Sequence, residues 1–163
     1  MVSIEALRSC ELFGELNDAE LGEIAALCRE ESYPAGAIVF TEAEMAKDLY
    51  ILQEGKVALQ IQLRSLAEMG GEVAIEVMEP GHIFGWSALV KQRRLTTTAR
   101  CLEDVKAMAV KGQALNQLFE RNAHIGFVVM KRLADVISSR LRLIRERLAE
   151  HGQTPDEASA AES

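Results

Sequence analysis

The middle of the chain consists of short apolar runs that turn residues separate at close intervals. Six of these runs are β-branched or alternate between apolar and polar residues, as strands do: 38–41, 48–53, 57–63, 73–78, 96–101 and 105–110. Glycine-containing turns lie between them, at Gly36, Gly55, Gly70–Gly71 and Gly81. Closely spaced antiparallel strands with such turns predict a small barrel or jelly roll.

Helical patterns flank the strands on both sides. Residues 4–28 are predicted to be helical, with a capping signal at Asn17-Asp18, and a short helix is predicted over 113–121. A long helix is predicted from 123 to 150. The polar and acidic segment 151–163 that follows it is expected to be a disordered tail.

The predicted long helix carries two apolar rows. One row repeats at alternating spacings of four and three residues and consists of Met130, Ala134, Ile137, Leu141, Ile144 and Leu148. Such a heptad seam is the geometry in which one helix packs against another of its kind, so this row is the predicted dimer interface. The second row, expected to face the chain's own domain, is Val129, Leu133, Val136 and Leu143. An ordinary amphipathic helix with a wide apolar stripe is the alternative.

Composition narrows the classes of function. The 163 residues suffice for one well-cored domain with an extension, so we divide the chain into a β domain over 1–122, the long helix and the tail. The formal net charge of −7 argues against a nucleic-acid-binding surface, which needs a concentrated excess of Lys and Arg. No apolar run approaches the roughly 18 residues of a membrane-spanning helix. The N-terminus lacks the pattern of a signal peptide, so a cytoplasmic protein is expected.

Residue types that carry metal or redox chemistry are scattered along the chain. The cysteines form no CxxC pair or Cys/His cluster and are expected to be reduced thiols: Cys10, Cys28 and Cys101. The histidines have no partner at ligand spacing: His82, His124 and His151. No nucleophile–base pair or carboxylate dyad is evident either. The sequence therefore predicts neither a metal site nor an enzymatic activity.

One segment has the composition of an anion site. Residues 84–100 read FGWSALVKQRRLTTTAR, with a glycine turn at Gly85, small residues after it, and then Arg93, Arg94 and three threonines. Unpaired N–H groups at the start of a helix carry partial positive charge, and glycine lets the backbone approach a ligand closely. Arginine adds a charge-assisted fork for phosphate oxygens. The segment is a candidate site for a small anion.

Three stretches together resemble the cyclic-nucleotide-binding domain of the bacterial catabolite-activator and fumarate-regulator superfamily, over about residues 7–148. They are LFGELNDAELGEIA, AGAIVFTEAEMAKDLYILQEGKVAL, and EPGHIFGWSALV followed by TTTARCLEDVKAMAV. The resemblance implies a double-stranded β-helix, or jelly roll, with a long dimerisation helix. It also implies a cyclic nucleotide inside the roll, cyclic AMP or cyclic GMP, whose phosphate is held by backbone N–H groups of a short helix and by one arginine.

Carried onto this sequence, the resemblance implies a set of ligand-binding residues around that short helix and on the long helix. These are Phe84, Gly85, Trp86, Ser87, Ala88, Leu89, Arg93, Arg94, Thr96, Thr97 and Arg140. Arg140 matches an arginine that the family has on its long helix. No other cofactor is implied.

Three positions depart from the family's pattern. Trp86 replaces a glutamate that accepts a hydrogen bond from ribose, and indole accepts none. Leu95 stands where the phosphate-binding arginine is expected, with Arg94 one residue early, and a one-residue slip on a strand reverses the side chain. A turn between Val90 and Arg94 would absorb this slip, so Arg94 stays a candidate and Arg93 is a weaker one. Ile144 and Arg145 replace a Thr-Ser pair that contacts adenine. Each charged hydrogen bond lost costs about 1.5–3 kcal/mol, so losing two weakens binding roughly a hundredfold or more.

Two functions are consistent with these features. One is a ligand-sensing regulatory module, in which a cyclic nucleotide or similar anion shifts the packing of a homodimer and an unidentified protein receives the signal. The other is a ligand-free scaffold for protein interaction, in which Trp86 plugs the roll instead of forming a stacking wall for a ligand. A helix-turn-helix domain follows the long helix in the family's transcription factors. Only 13 residues follow Glu150 here, so DNA binding by this chain is not expected.

Overall fold

The computed structural model describes the backbone of residues 2–62, 71–90 and 94–162, and the side chains of these residues as far as Glu150. The helices within these ranges are α1 (Ile4–Arg8), α2 (Asp18–Ala25), a 3-10 helix (Trp86–Leu89), α3 (Gly112–Arg121) and α4 (Ala123–Glu162). The strands are β1 (Cys28–Tyr33), β2 (Ile38–Phe40), β3 (Asp48–Glu54), β4 (Val57–Gln62), β5 (Glu72–Met78), β6 (Ile83–Phe84), β7 (Thr98–Cys101) and β8 (Val105–Lys111).

The strands form two antiparallel sheets that face each other. The first sheet has the order β1-β8-β3-β6 and the second has the order β2-β7-β4-β5. Consecutive strands therefore alternate between sheets in several places, as in a jelly roll. The prediction of a mainly β roll with flanking helices is confirmed.

In the first sheet, strands β3 and β8 are buried on both faces. In β3, Leu49 and Ile51 pack with the helices, whereas Tyr50 and Leu52 pack inside the roll. Strand β8 alternates in the same way, because successive side chains of a strand point to opposite faces of the sheet. The chain thus has two apolar cores, one inside the roll and one between the first sheet and the helices.

The helical core joins the two ends of the described chain. Leu7, Phe13 and Leu21 from the N-terminal region pack there against Ile125 and Val129 of α4. Helix α2 begins with a capping box. The backbone N–H of Glu20 donates to the Asn17 side chain at 2.9 Å, and the backbone N–H of Asn17 donates to the Glu20 carboxylate at 2.9 Å. The capping signal read at Asn17-Asp18 is confirmed.

Several boundaries differ from the predicted ones. Residues 4–28 do not form continuous helix, and Cys28 begins β1, whose sequence CREESY has no apolar alternation and is held in place by pairing with β8. Strand β6 has two residues, too few to show a period. Helix α4 continues to Glu162 instead of ending at 150. Its last part contains three alanines, which favour helix, but also Gly152 and Pro155, which do not.

The two apolar rows of α4 are only partly as predicted. Val129, Leu133 and Val136 are buried against the domain, but Leu143 is 53% exposed. Leu143 points in nearly the same direction as fully buried Ile125, because the eighteen residues between them make five full turns. It is exposed because it lies along an open space between α4 and β5.

Among the residues that the structure describes, no helix is long and apolar enough to cross a bilayer. The same residues contain no group of three or more His, Cys, Asp or Glu side chains placed to share a metal ion.

Candidate ligand site and long helix

The glycine turn at the start of the 3-10 helix has the conformation that the sequence predicts. Gly85 has φ +78°, in the left-handed region, and a Cβ there would lie 3.0 Å from the Asp48 carbonyl oxygen. The N–H of Ala88 donates to the carbonyl of Gly85 at 3.2 Å, which closes the turn. We call Trp86–Leu89 the cassette helix.

The cassette helix is clamped from the outside by α3. A Cβ on Gly112 would lie 2.2 Å from the Ala88 carbonyl oxygen, so only glycine allows the two backbones to approach this closely. The N–H of Gly112 donates to the carbonyl of Lys47 at 2.9 Å. The cassette helix is therefore fixed between the roll and α3.

The cavity beside the cassette helix is very small. Its volume is about 20 Å³, and it is lined by Leu59, Gly85, Trp86, Ser87, Leu95, Thr96 and Thr97. That volume holds about one water molecule, whereas pockets for drug-sized ligands have volumes of roughly 300 Å³ or more. The described residues beside the cassette helix therefore enclose much less space than such a pocket has.

Arg94, a candidate for the phosphate-binding arginine, does not line the cavity. Its Nη1 donates to the carbonyl of Ala43 at 2.9 Å on the exposed side of the chain, away from the cavity. Leu95 is buried, lines the cavity and packs with the core of the roll. Arg93 lies outside the described residues.

The remaining predicted residues of this segment have different surroundings. Phe84 is fully buried, with its ring stacked on that of Tyr50 at 5.2 Å, so it belongs to the core of the roll and not to the cavity. Strand β7 begins at Thr98. The Thr98 hydroxyl accepts a hydrogen bond from the N–H of Glu42 at 2.9 Å. Because Thr96 and Thr97 precede the strand in a bend, both line the cavity, whereas the predicted strand over 96–101 would alternate them.

Arg140 does not face the cavity as a free cation. Its guanidinium lies 5.0 Å from the ring centroid of Trp86, a cation–π distance. Its Nη2 donates to the Glu11 carboxylate at 2.5 Å, and its Nε lies 3.9 Å from a Glu76 carboxylate oxygen. Only 5% of Arg140 is exposed. We call Glu11, Glu76, Trp86 and Arg140 the Arg140 cluster.

The two carboxylates of the Arg140 cluster have different roles. Glu11 also accepts from the N–H of Ile83 at 2.7 Å, and its backbone carbonyl accepts two N–H groups of Arg132 at 2.8 and 3.1 Å. Burial raises the pKa of Glu76, and the charge of Arg140 opposes that rise. Within the described part of the chain, one Glu76 oxygen and Arg140 Nη1 are buried without a hydrogen-bond partner.

Sequence reasoning missed both carboxylates. Glu76 gave one signal, because it is a charged residue inside the apolar run VAIEVM. Glu11 gave none, since it lies in a turn and its partners come from β6 and α4.

A larger groove runs between β5 and α4, on the other side of the long helix from its heptad row. Its volume is about 520 Å³, and its lining mixes acidic and basic residues, among them Glu76, Arg140, Glu146 and Arg147. His82 lines this groove and accepts from the N–H of Glu79, whereas His124 is not in its lining and lies 3.4 Å from Glu20.

The predicted heptad row divides into exposed and half-buried residues. Met130, Ala134 and Leu141 are exposed, and Leu141 reaches 57%. Phe127, three residues before Met130, extends the row and is 63% exposed, although the sequence prediction did not include it.

The other three residues of the row are half-buried: Ile137, Ile144 and Leu148. Ile137 packs against the helical core and Ile144 against the core of the roll. The long helix thus closes one end of the roll with Ile144 and leaves an apolar stripe uncovered in the single chain.

Comparison with known proteins places this geometry in a family. The cyclic nucleotide-binding domain family matches residues 30–122. The "CRP-like cAMP-activated global transcriptional regulator" of Mycobacterium tuberculosis is 28% identical over 140 residues, 84% of this chain and 59% of the relative. This chain therefore spans about three fifths of the length of that curated relative.

Solved structures share the fold. A candidate cyclic nucleotide-binding protein from Geobacter metallireducens GS-15 has 33% identity and a TM-score of 0.74, covering 86% of this chain and 99% of that one. The N-terminal domain of a transcriptional regulator from Streptomyces coelicolor A3(2) has 25% identity and a TM-score of 0.70, covering 82% and 93%. The chain belongs to the cyclic nucleotide-binding domain family.

Proposed function

We propose that the chain is a regulatory module that acts through pairing of its long helix and whose roll does not take up a cyclic nucleotide in the implied pose. The observation that carries this proposal is the cavity of about 20 Å³ beside the cassette helix, with Leu95 in its lining and Arg94 bonded elsewhere. A buried leucine offers no hydrogen bond to a phosphate, and removing the phosphate's charge partner leaves that anion uncompensated.

Pairing of two copies is supported by the uncovered stripe on α4. Phe127, Met130 and Leu141 are large apolar side chains that a single chain leaves in water. They share the heptad spacing with half-buried Ile137 and Ile144, so a second copy of the helix can continue the packing that the domain begins. The partner that receives the signal from such a dimer is an unidentified protein.

The test is a fluorescence titration with cyclic AMP and cyclic GMP, because Trp86 is the sole tryptophan and lines the cavity. We expect no change in its emission up to millimolar nucleotide. Saturable quenching or a spectral shift at micromolar nucleotide would contradict a closed roll.

A second measurement checks that the replaced residues cause the closure. The double variant Trp86→Glu with Leu95→Arg restores both side chains that the family uses, and calorimetry should detect nucleotide binding at least about a hundredfold tighter than in the wild type. Its melting temperature must show that it folds, since Leu95 is buried. The Arg94→Lys variant is the control, and it should bind no better than the wild type.

The second candidate function is a ligand sensor that opens before binding a cyclic nucleotide or smaller anion. The Gly85 turn and cassette helix favour it, since this backbone arrangement is the one that holds phosphate in the implied site. The relative from Mycobacterium tuberculosis, described as cAMP-activated, gives it further support. The titration separates the two candidates.

A further inference from the structure

The Arg140 cluster lies where four separate parts of the chain meet. Trp86 comes from the cassette helix, Glu11 from the turn after α1, Glu76 from β5 and Arg140 from the long helix. A displacement of the long helix or of the cassette helix moves at least one of these contacts. Because Arg140 is 5% exposed, bulk water is poorly placed to replace them.

The contacts differ in geometric demand. The planar fork of Arg140 lets one guanidinium lie over the Trp86 ring and bond Glu11 at the same time, whereas the Glu76 contact at 3.9 Å is a longer electrostatic one. Glu11 fixes the other edge of the guanidinium, because its carboxylate is itself held by the Ile83 N–H. The orientation of Arg140, and with it the long helix, is therefore tied to the ring of Trp86.

We propose that Arg140 is a positioning residue that couples the cassette helix to the long helix without a ligand, by stacking on Trp86 while bound to Glu11 and Glu76. A displacement at the paired face of the long helix is then felt at Trp86, and a change at Trp86 alters the long helix. This inference rests on the proposed function only in taking the long helix as the output.

Coupling of two sites is reciprocal, which makes the inference testable from the helix side. We expect the variant Met130→Asp with Leu141→Asp, which charges the exposed row, to shift the emission of Trp86. In the Arg140→Lys background the same two substitutions should leave the emission unshifted. Lysine keeps the charge beside Glu11 and Glu76 but lacks the planar fork, so the fold is retained while the coupling is lost.

Hydrogen exchange tests the coupling in the opposite direction, from Trp86 to the long helix. In Trp86→Leu, amides of residues 137–148 should exchange about tenfold faster than in the wild type, a factor that corresponds to about 1.4 kcal/mol. Arg142→Lys is the matched control, since Arg142 is an exposed arginine on the same helix and should change neither readout.

Equal emission shifts in the wild-type and Arg140→Lys backgrounds would overturn the coupling. So would the absence of any shift in the wild-type background when light scattering shows that the two substitutions separate the dimer. If the chain never pairs, the proposed pairing is contradicted instead, and the hydrogen-exchange comparison decides the coupling. None of these measurements uses a nucleotide. Nucleotide binding in the titration would therefore contradict the closed roll, but it would not decide whether Arg140 couples the two helices.

Discussion

At the level of single residues, two helical glycines have opposite surroundings. A Cβ on Gly112 would lie 2.2 Å from the carbonyl oxygen of Ala88 in the cassette helix, whereas a Cβ on Gly22 in α2 would meet nothing within 4 Å. Gly22 lies inside α2, where alanine is the better helix former, whereas Gly112 is the first residue of α3. Gly112 therefore reports how closely α3 approaches the cassette helix, and Gly22 serves as a position without a close neighbour.

We therefore expect opposite effects of the same substitution. Gly112→Ala should lower the free energy of unfolding by about 1–3 kcal/mol, because the cassette helix must move to admit the methyl group. Gly22→Ala should raise it by about 0.5–1 kcal/mol. Urea denaturation measures both, and a neutral Gly112→Ala would mean that α3 and the cassette helix do not touch.

At the level of elements, the long helix serves both its own domain and a surface beyond it. Val129, Leu133 and Val136 pack in the helical core, while Leu141 and Met130 remain exposed on another face. Ile137 lies between these faces and packs on the helical core. A charge at Ile137 would thus damage the fold as well as any dimer, whereas charges at the exposed positions test pairing alone.

The pairing prediction is that Met130→Asp with Leu141→Asp yields a monomer, because two carboxylates per chain at a heptad seam repel and lose their apolar partners. Light scattering gives the mass. The charge-matched control is Ser139→Asp with Ala149→Asp, at exposed positions that do not flank the row, and it should remain dimeric. Dimers in the first variant would move the interface elsewhere.

At the level of the whole molecule, the two apolar cores share one sheet. Strands β3 and β8 each place alternate residues in the helical core and in the roll, so neither core can unfold while the other keeps these strands. Cys10 lies in the helical core and Cys101 in the core of the roll, which gives each core its own thiol.

Thiol labelling should therefore report one transition. Burial raises the pKa of Cys10 to about 12 and that of Cys28 to about 11, so the reactive thiolate of Cys10 is only about one part in ten thousand at pH 8. Native labelling should be slow and should accelerate about tenfold per pH unit up to pH 10.

In urea, Cys10 and Cys101 should be labelled at the same midpoint, resolved by peptide mass spectrometry. Separate midpoints would mean that the two cores unfold independently. Since thiols of the unfolded chain ionise first, the free energy of unfolding should also fall as the pH rises above about 9. It should be unaffected by these groups below that pH.

Much of this architecture was predictable from local pattern. The alternation of residues in β3, β4 and β8 and the glycines between strands indicated the roll, and the spacing along α4 indicated a helix with two apolar faces. Strand β1 was not predictable, because its polar sequence becomes a strand only through the hydrogen bonds that β8 offers.

The candidate site was predictable only in its backbone. The conformation of Gly85 follows from residue type and neighbours in sequence, since a left-handed turn excludes most side chains. Whether Arg94 or Leu95 lines the cavity, and whether Arg140 meets a ligand or Trp86, depends on contacts between elements far apart in the chain. Local periodicity fixes the backbone of each element, but which charges become partners is decided only when distant elements pack and exclude water.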